Sequence, residues 1–179
     1  MIFISEKIVI STCNHEKLYF AVAVKNGKII KTILPKLTEK EAIAEISDSF
    51  SSFQLSDEYQ GLAESVCRAY HGERVSFKDK FIVHELKGDF QKDVLHEVVE
   101  IPYGEVRTYK QISEAIDSKA YRAVGTAIGK NPLPIIIPCH RVVKSDLKVG
   151  GFFGGTEMKK EILENEGICI INGKIIIKK

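Results

Sequence analysis

Apolar residues dominate three short segments at the start of the chain. Residues 2–11, 18–24 and 29–34 are rich in Ile, Val and aromatic side chains, and Asn26-Gly27 separates the last two segments. Branched and aromatic residues favour strands, and Asn-Gly is a strong signal for a tight hairpin turn. The N-terminal part is therefore predicted to form an antiparallel sheet of about three strands.

Helical patterns follow the strands. Thr38 and Glu41 have the spacing of a capping box, ahead of an apolar segment that predicts the first helix. A Ser-rich loop then leads to a second predicted helix over residues 58–70. The stretch 73–87 has no clear period and is predicted as loop with a short strand.

The character of the chain changes at Gly88-Asp89. Asp89 is suited to cap a helix that Pro102-Tyr103-Gly104 ends. The apolar face predicted for this helix consists of Phe90, Val94, Val98 and Ile101. We therefore predict an N-terminal α/β domain over residues 1–87 and a mainly helical domain over residues 88–179, an α+β fold in total.

Two short helices with a tight turn between them are predicted next. Thr108 and Gln111 make a second capping box, and Asp117-Ser118 makes the turn, with Ser118 as the N-cap of a helix over 119–130. The residues predicted to face the core are Ile112, Ala115 and Ile116 on the first helix and Ala120, Val124, Ala127 and Ile128 on the second. This arrangement is a candidate helix-turn-helix.

The outer face of the second helix is small and basic. At about 100° per residue, Arg122 points away from the apolar stripe. Its outward neighbours are Lys119, Gly125, Thr126 and Gly129. Such a face suits close approach to a DNA groove, and the alternative is a solvated helix surface with two incidental glycines.

A cysteine follows an apolar, proline-containing run. Residues 131–138 lead to Cys139, and His140 and Arg141 come directly after it. A thiol is nucleophilic as the thiolate, which nearby cations favour. Pro138 fixes the backbone, which suggests a bend that presents Cys139. The alternative is a free cysteine that packs as a small buried hydrophobe.

A glycine-rich loop and a last helix complete the pattern. Residues 150–155 contain four glycines around Phe152-Phe153. Such a loop exposes backbone that would line a flat apolar ligand, and a long turn pinned by two Phe side chains is the alternative. A helix is predicted over 156–166 with Gly167 at its C-terminal end, followed by a hairpin or an extended tail.

Composition and charge narrow the classes of function. Of 179 residues, 44% are hydrophobic and 28% charged, as in soluble globular proteins. The chain shows no membrane-length apolar run and no signal-peptide layout, which predicts a cytoplasmic protein, or a nuclear one in a eukaryote. Four scattered cysteines argue against a disulfide framework and a zinc finger.

The positive charge lies in the half of the chain that carries Cys139. Residues 102–179 hold 13 Lys and Arg against 8 Asp and Glu, whereas residues 1–101 hold 13 against 16. A polyanionic partner for the C-terminal half is therefore plausible. A thiol, a neighbouring histidine and a basic helix-turn-helix together indicate covalent chemistry on a nucleic-acid base, which must be flipped out of a duplex to be reached.

The segment 137–143, Ile-Pro-Cys-His-Arg-Val-Val, resembles the active-site signature of the O6-alkylguanine-DNA alkyltransferases. The resemblance extends over about residues 90–167, and residues 1–87 fit the family's variable N-terminal domain only in outline. The other segments that carry it are Ile101-Pro102-Tyr103-Gly104-Glu105-Val106, Thr108-Tyr109, Arg122-Ala123-Val124-Gly125, Asn131-Pro132 and Glu166-Gly167.

This resemblance implies single-turnover transfer of an alkyl group from O6 of guanine in double-stranded DNA to the thiolate of Cys139, without a cofactor or a metal. It implies that His140 deprotonates Cys139 through a water and that Glu166 orients His140. It further implies that Tyr109 donates a hydrogen bond to the guanine and assists flipping. Arg122 would fill the space that the base leaves.

The remaining roles concern DNA and the guanine. The resemblance implies minor-groove contact by the helix that carries Gly125, with Lys119 among the DNA-binding residues. It implies that Asn131 braces the turn before the cysteine and that the carbonyls of Cys139 and Val142 read the guanine amino group. The protein is expected to act as a monomer and not on a membrane.

The glycine loop departs from the family pattern. Many members have Tyr-Ser where this chain has Phe152-Phe153, so side-chain hydrogen bonds are lost. The backbone N–H of Phe153 would still donate to the guanine O6, while its side chain is expected to narrow the pocket against large alkyl groups. Cys13-Asn14-His15 is at best a weak remnant of the metal site of some relatives.

Three other functions remain to be separated from alkyl transfer. A protein that only binds alkylated DNA, or a DNA-binding regulator, would keep binding while its thiol stays unmodified. A thiol hydrolase would turn over esters or amides, although the basic helix-turn-helix is not expected there.

Overall fold

The computed structural model describes residues 7–80 and 88–177, which form two compact units. The first unit contains residues 7–69, 75–80 and 132–134, and the second contains residues 70–74, 88–131 and 135–177. The division into domains at residue 88 stays a prediction. Residues 2–6 of the first predicted strand and residues 81–87 lie outside the described residues.

The N-terminal antiparallel sheet is confirmed and has one more strand than predicted. Its strands are β1 (Ile8–His15), β2 (Leu18–Lys25), β3 (Lys28–Thr32) and β4 (Gln54–Leu55), in the order β3-β2-β1-β4. Asn26 and Gly27 both have positive φ, 51° and 72°, as the predicted tight turn requires. The two-residue β4 runs parallel to β1 and is too short for a sequence pattern to show.

Two helices belong to the first unit. The first, α1 (Glu39–Ser47), begins with the predicted capping box, because the side chains of Thr38 and Glu41 each bond the other's backbone N–H. The second, α2 (Gln60–Tyr70), follows a short 3-10 turn. Ala42 and Ile46 of α1 pack against Ile10, Ala21 and Ala23 of the sheet.

The second unit contains four helices: α3 (Asp89–Val99), α4 (Tyr109–Ala115), α5 (Tyr121–Gly129) and α6 (Thr156–Asn165). Two details of α3 were predicted wrongly. Gly88 is the N-cap and Asp89 is already helical, without a capping hydrogen bond. Phe90 is exposed rather than buried, since it lies in the first turn.

The helix pair α4–α5 is shorter than predicted. The capping box of Thr108 and Gln111 is confirmed. Ser118 is not the N-cap: Ala120 is, and the hydroxyl of Ser118 instead accepts from the backbone N–H of Ala120 inside the turn. Ala115 and Ala120 are therefore exposed, while Ile112, Val124, Ala127 and Ile128 are buried as predicted.

Two short strand pairs position the ends of the second unit. β5 (Arg107–Thr108) pairs in parallel with β6 (Val142–Val143), so that α4 begins beside the segment that follows Cys139. β7 (Ile170–Ile171) and β8 (Lys174–Ile175) form the predicted terminal hairpin around Asn172-Gly173. The β5–β6 pair was not predicted, since it joins two-residue segments far apart in the chain.

The C-terminal end of α6 has the hydrogen bonds of a Schellman motif. The N–H of Gly167 bonds Glu164 O, and the N–H of Ile168 bonds Leu163 O. Gly167 has a φ of +82°, which confirms it as the residue that ends the helix. Glu166 is consequently held at the C-cap, and Ile162 and Leu163 lie in the core.

Helices that are long and apolar enough to span a membrane are absent from residues 7–80 and 88–177.

We expect Gly72→Ala to lower the free energy of unfolding by about 2–4 kcal/mol. A Cβ at Gly72 would lie 2.2 Å from the carbonyl oxygen of Asn165, and the φ of Gly72 is +89°. Urea unfolding followed by far-UV circular dichroism would measure the change. As a control, Gly61→Ala on α2 meets no atom within 4 Å and should be neutral or slightly stabilising. Equal midpoints for both variants would contradict this close backbone contact.

Candidate active site

Cys139 opens a one-turn 3-10 helix that ends at Arg141, directly after Pro138. Its side chain is buried, with an exposed fraction of 8%. The prediction that the bend presents Cys139 at the surface is therefore wrong. The apolar residues Ile135, Ile136 and Ile137 that precede it are buried too.

Burial raises the pKa of the Cys139 thiol, and specific groups oppose this effect. They are a hydrogen bond from the side chain of Asn131, the charge of Lys159 and the backbone N–H groups of Cys139 and His140. Asn131 also donates from Nδ2 to the carbonyl of Ile137 at 2.9 Å. Its single side chain thus braces the turn and contacts the thiol.

His140 is fully buried and bonded to Glu166. Nε2 of His140 lies 2.8 Å from Oε1 of Glu166. Burial lowers the pKa of His140 against the opposing effect of Glu166, which favours a neutral ring. A carboxylate only accepts hydrogen bonds, so Nε2 carries the proton. Nδ1 is then the acceptor, and it is buried without a hydrogen-bond partner among the described residues.

Glu166 is also held by Arg141. Arg141 donates from Nε to Oε2 at 2.9 Å and from Nη2 to Oε1 at 2.8 Å, and its Nη1 donates to the carbonyl of Ile101 at 2.7 Å. Burial acts to raise the pKa of Glu166, but the hydrogen bonds from His140 and Arg141 outweigh it and bring the pKa down to about 2. The carboxylate is therefore ionised, although it is almost completely buried.

The binding of His140 and Arg141 to Glu166 contradicts the expected influence of these two residues on Cys139. The two cations that follow Cys139 in sequence were expected to favour its thiolate. Instead, both His140 and Arg141 point to Glu166. The binding of Glu166 by Arg141 was not predicted from the sequence.

Lys159 on α6 is a buried cation that the sequence analysis missed. Its side chain has no exposed surface, and Nζ donates to the carbonyls of Val142 at 2.6 Å and Gly151 at 3.2 Å. Nζ also lies 6.0 Å from the ring centre of Tyr109. Burial lowers the pKa of Lys159 to about 8, against the charge of Cys139, which acts to raise it.

A signal for Lys159 was present in the helix pattern. Lys159, Ile162, Leu163 and Glu166 are spaced i, i+3, i+4 and i+7, and all four are buried. Two opposite charges thus lie on the apolar stripe of one helix. A charged side chain at a predicted core position usually has a partner of opposite charge or a hydrogen-bond partner. Such positions are also common at functional sites, so they are candidates for a functional role.

Tyr109 and Val142 approach the cysteine from the paired strands. Tyr109 is the first residue of α4, immediately after β5. Burial raises the pKa of Tyr109, and the charge of Cys139 adds to this effect, so its hydroxyl stays a hydrogen-bond donor. The carbonyl of Val142 already accepts from Lys159 and retains a second lone pair for another donor.

The other predicted binding residues lie at the surface. Lys119 and Arg122 are exposed, and Gly125 and Gly129 have no atom within 4 Å of a Cβ built on them. Gln91 of α3 donates to the carbonyl of Lys130, which ties down the end of α5. The outer face of α5 is therefore open at the two glycines and carries the exposed cation Arg122.

Phe153 lies on the glycine loop with 80% of its surface exposed. The alternative of a turn pinned to the core by two Phe side chains does not hold for this residue. Taken together, the structure brings Cys139, His140, Glu166, Asn131, Tyr109 and Val142 into one buried cluster, to which it adds Arg141 and Lys159. It leaves Lys119, Arg122, Gly125 and Phe153 outside that cluster.

Comparison with known proteins identifies relatives of this chain. Residues 89–168 match the family described as 6-O-methylguanine DNA methyltransferase, DNA binding domain. The chain is 38% identical over 160 residues to a methylated-DNA–protein-cysteine methyltransferase of Archaeoglobus fulgidus, covering 85% of this chain and 95% of that protein. It is 32% identical to the protein of the same name from Methanocaldococcus jannaschii, covering 89% and 94%.

Solved structures show the same fold. OGT of Mycobacterium tuberculosis in complex with DNA is 29% identical, with a TM-score of 0.70 over 88% of this chain and 92% of that one. The O6-methylguanine-DNA methyltransferase of Pyrococcus kodakaraensis is 26% identical, also with a TM-score of 0.70, over 90% and 99%. The identity over nearly the whole length of these relatives, together with the shared fold, shows that the chain belongs to the methylated-DNA–protein-cysteine methyltransferase family.

Proposed function

We propose that this protein repairs DNA by moving an alkyl group, above all methyl, from O6 of guanine to Sγ of Cys139, once per molecule. The main support for the proposal is that buried Cys139 is followed by His140, which is hydrogen-bonded to the buried Glu166, and that the neutral hydroxyl of Tyr109 lies nearby. The reaction forms a carbon–sulfur bond and breaks the carbon–O6 bond. The thiol loses one proton, and the dealkylated guanine, which stays in the DNA strand, takes up one.

His140 is the base in this proposal. Its Nδ1 is the acceptor and is unpartnered within the described residues, so a water placed between Nδ1 and Sγ would carry the thiol proton to the ring. Glu166 stabilises the resulting imidazolium and fixes the ring orientation through Nε2. This is the logic of a nucleophile whose base is oriented by a third group.

The guanine is proposed to lie between Tyr109 and the backbone of the cysteine segment. The hydroxyl of Tyr109 would donate to the base, the carbonyls of Cys139 and Val142 would accept from its amino group, and the N–H of Phe153 would donate to O6. Asn131 holds the turn in place. A bulky Phe153 on the loop favours methyl over benzyl-sized groups.

Double-stranded DNA is proposed to bind through α5 in the minor groove. Because Gly125 and Gly129 have open space beside their backbone, the helix would approach the sugars closely, and the exposed Lys119 would bind the phosphates. Arg122 would enter the duplex and replace the flipped base, which offsets part of the unstacking cost of a few kcal/mol. We further propose that the protein acts as a monomer, in the cytoplasm or in a eukaryotic nucleus.

Peptide mass spectrometry tests the proposed reaction. Mixed with a duplex that carries one O6-methylguanine, the protein should gain one methyl group on the Cys139 peptide, saturating at one per molecule. An unmodified duplex should give none, and Cys139→Ala should give none while DNA binding persists. Tight binding without an adduct would identify a lesion-binding protein or a regulator instead, and turnover of esters would identify a hydrolase.

We expect Arg122→Ala to slow transfer from duplex DNA at least tenfold while transfer from free O6-methylguanine base changes less than twofold. The reason is that only the duplex requires a flipped base to be replaced. Single-turnover rates on both substrates measure the effect. Arg68→Ala, an exposed arginine on α2, is the control and should leave both rates unchanged. An equal loss on both substrates would disprove the flipping role.

Lys159→Met should raise the pKa of Cys139 and slow transfer at pH 7, by about tenfold for each pKa unit. The cation stabilises the thiolate, so its removal moves the rise of the pH–rate profile to higher pH. In the native protein, Lys159 itself loses charge as the pH rises through its pKa of about 8, which weakens this support above that pH. Lys160→Met, at the neighbouring half-exposed position, is the matched control. A profile of Lys159→Met that overlays the native one would show that the lysine only packs.

A further inference from the structure

Tyr103 lies next to the ion pair of Arg141 and Glu166, which holds His140, yet the sequence offers no reason to assign Tyr103 a role in the reaction. It follows α3 in the turn Pro102-Tyr103-Gly104 and is half-buried. The guanidinium of Arg141 lies 5.7 Å from the centre of its ring. A guanidinium within about 6 Å of an aromatic ring centre is attracted by the ring's quadrupole.

Arg141 makes hydrogen bonds as well as its contact with the ring of Tyr103. Its three nitrogens are all engaged at the edge, with both oxygens of Glu166 and the carbonyl of Ile101. These hydrogen bonds act at the edges of the guanidinium, and the ring of Tyr103 adds a cation–π contact at 5.7 Å from its centre.

The segment 70–74 holds Tyr103 from its other end. The hydroxyl of Tyr103 donates to the carbonyl of Gly72 at 2.5 Å, and the guanidinium of Arg74 lies 5.5 Å from the ring centre. The same segment is tied to the end of α6, since Asn165 Nδ2 donates to the carbonyl of Tyr70 at 3.2 Å. The ring is thus anchored to the helix end from which Glu166 projects.

The turn itself also contacts that helix end. Gly104, with a φ of +78°, lies against the carbonyl of Glu166, at 3.5 Å from a Cβ built on it. Tyr103 and Gly104 therefore approach Glu166 by two routes, one through Arg141 and one through the backbone. A displacement of this turn would move the carboxylate.

We infer that Tyr103 is a positioning residue for alkyl transfer: its ring holds the guanidinium of Arg141, which fixes the carboxylate of Glu166 and through it the ring of His140. The inference rests on the proposed alkyl transfer and adds to it a link between the segment 70–74 and the base. The contacts of Tyr103 are with Arg141, Arg74 and the carbonyl of Gly72, so it is placed to act on the rate through Arg141, Glu166 and His140.

Substitution of Tyr103 by aliphatic residues tests this role. Tyr103→Leu and Tyr103→Met, which fills more of the volume, remove the aromatic face, whereas Tyr103→Phe keeps it and loses only the hydroxyl. We expect the aliphatic variants to lower the maximal single-turnover rate on O6-methylguanine duplex by roughly ten- to a hundredfold, as expected for a misplaced catalytic group. The DNA concentration at half-maximal rate should stay the same, and Tyr103→Phe should restore the rate to within about threefold.

A second measurement determines the tautomer of His140 directly. The ring ¹⁵N chemical shifts of His140 in the DNA-free protein report which nitrogen carries the proton. The native ring should show one tautomer, protonated at Nε2, and the aliphatic variants should show a mixture. The groups that act on this ring are Glu166, Arg141 and Lys159, none of which is changed. Tyr59→Leu and Tyr59→Phe in the first unit are the controls and should match the native protein in both measurements.

Two results would overturn the inference. The first is that folded Tyr103→Leu or Tyr103→Met keeps the native transfer rate and the native ¹⁵N shifts of His140. The second is that Tyr103→Phe loses as much transfer rate as the aliphatic variants, which would assign the effect to the hydroxyl and the fold. If the native protein formed no methyl adduct, the proposed function would fail. The tautomer of His140 would still decide whether Tyr103 positions the ring.

Discussion

The site depends on one buried negative charge. The carboxylate of Glu166 lies in the interior, where an unpaired charge is strongly unfavourable, and it is stable there because Arg141 binds both its oxygens and His140 donates to one of them. The charge is held at the C-cap of α6, where Gly167 ends the helix with a positive φ. The geometry of a helix end thus sets the position of the carboxylate that is proposed to orient His140.

Charged groups around Cys139 have separate tasks. Arg141 neutralises Glu166, so it does not stabilise the thiolate, whereas Lys159 donates to backbone carbonyls, including that of Val142, and its charge acts on Cys139. Both Lys159 and Glu166 come from the buried stripe of α6. One helix therefore supplies both the cation that acts to lower the pKa of Cys139 and the anion that binds His140, the proposed base.

Burial of the thiol also decides how a substrate must reach it. A buried cysteine cannot reach a base that is stacked in a duplex, so the proposed reaction requires the guanine to leave the helix. The open face of α5 and the exposed glycine loop are suited to hold DNA while this happens. Dry surroundings strengthen the electrostatic effects of Lys159, Glu166 and Arg141 on the reacting groups.

Local interactions were predictable from the sequence. The correctly predicted features join residues within a few positions of each other, so the sequence itself contains their patterns. They are the capping boxes at Thr38 and Thr108, the turn at Asn26-Gly27 and the helix end at Gly167. The predicted cluster of Cys139, His140 and Glu166 came from the resemblance to a family, whereas its geometry did not. Only the tertiary structure decided that Arg141 turns to Glu166, that Lys159 lies beside the thiol and that Tyr103 lies under Arg141. Those contacts join residues brought together by packing, and their energies depend on burial, which a linear pattern does not contain.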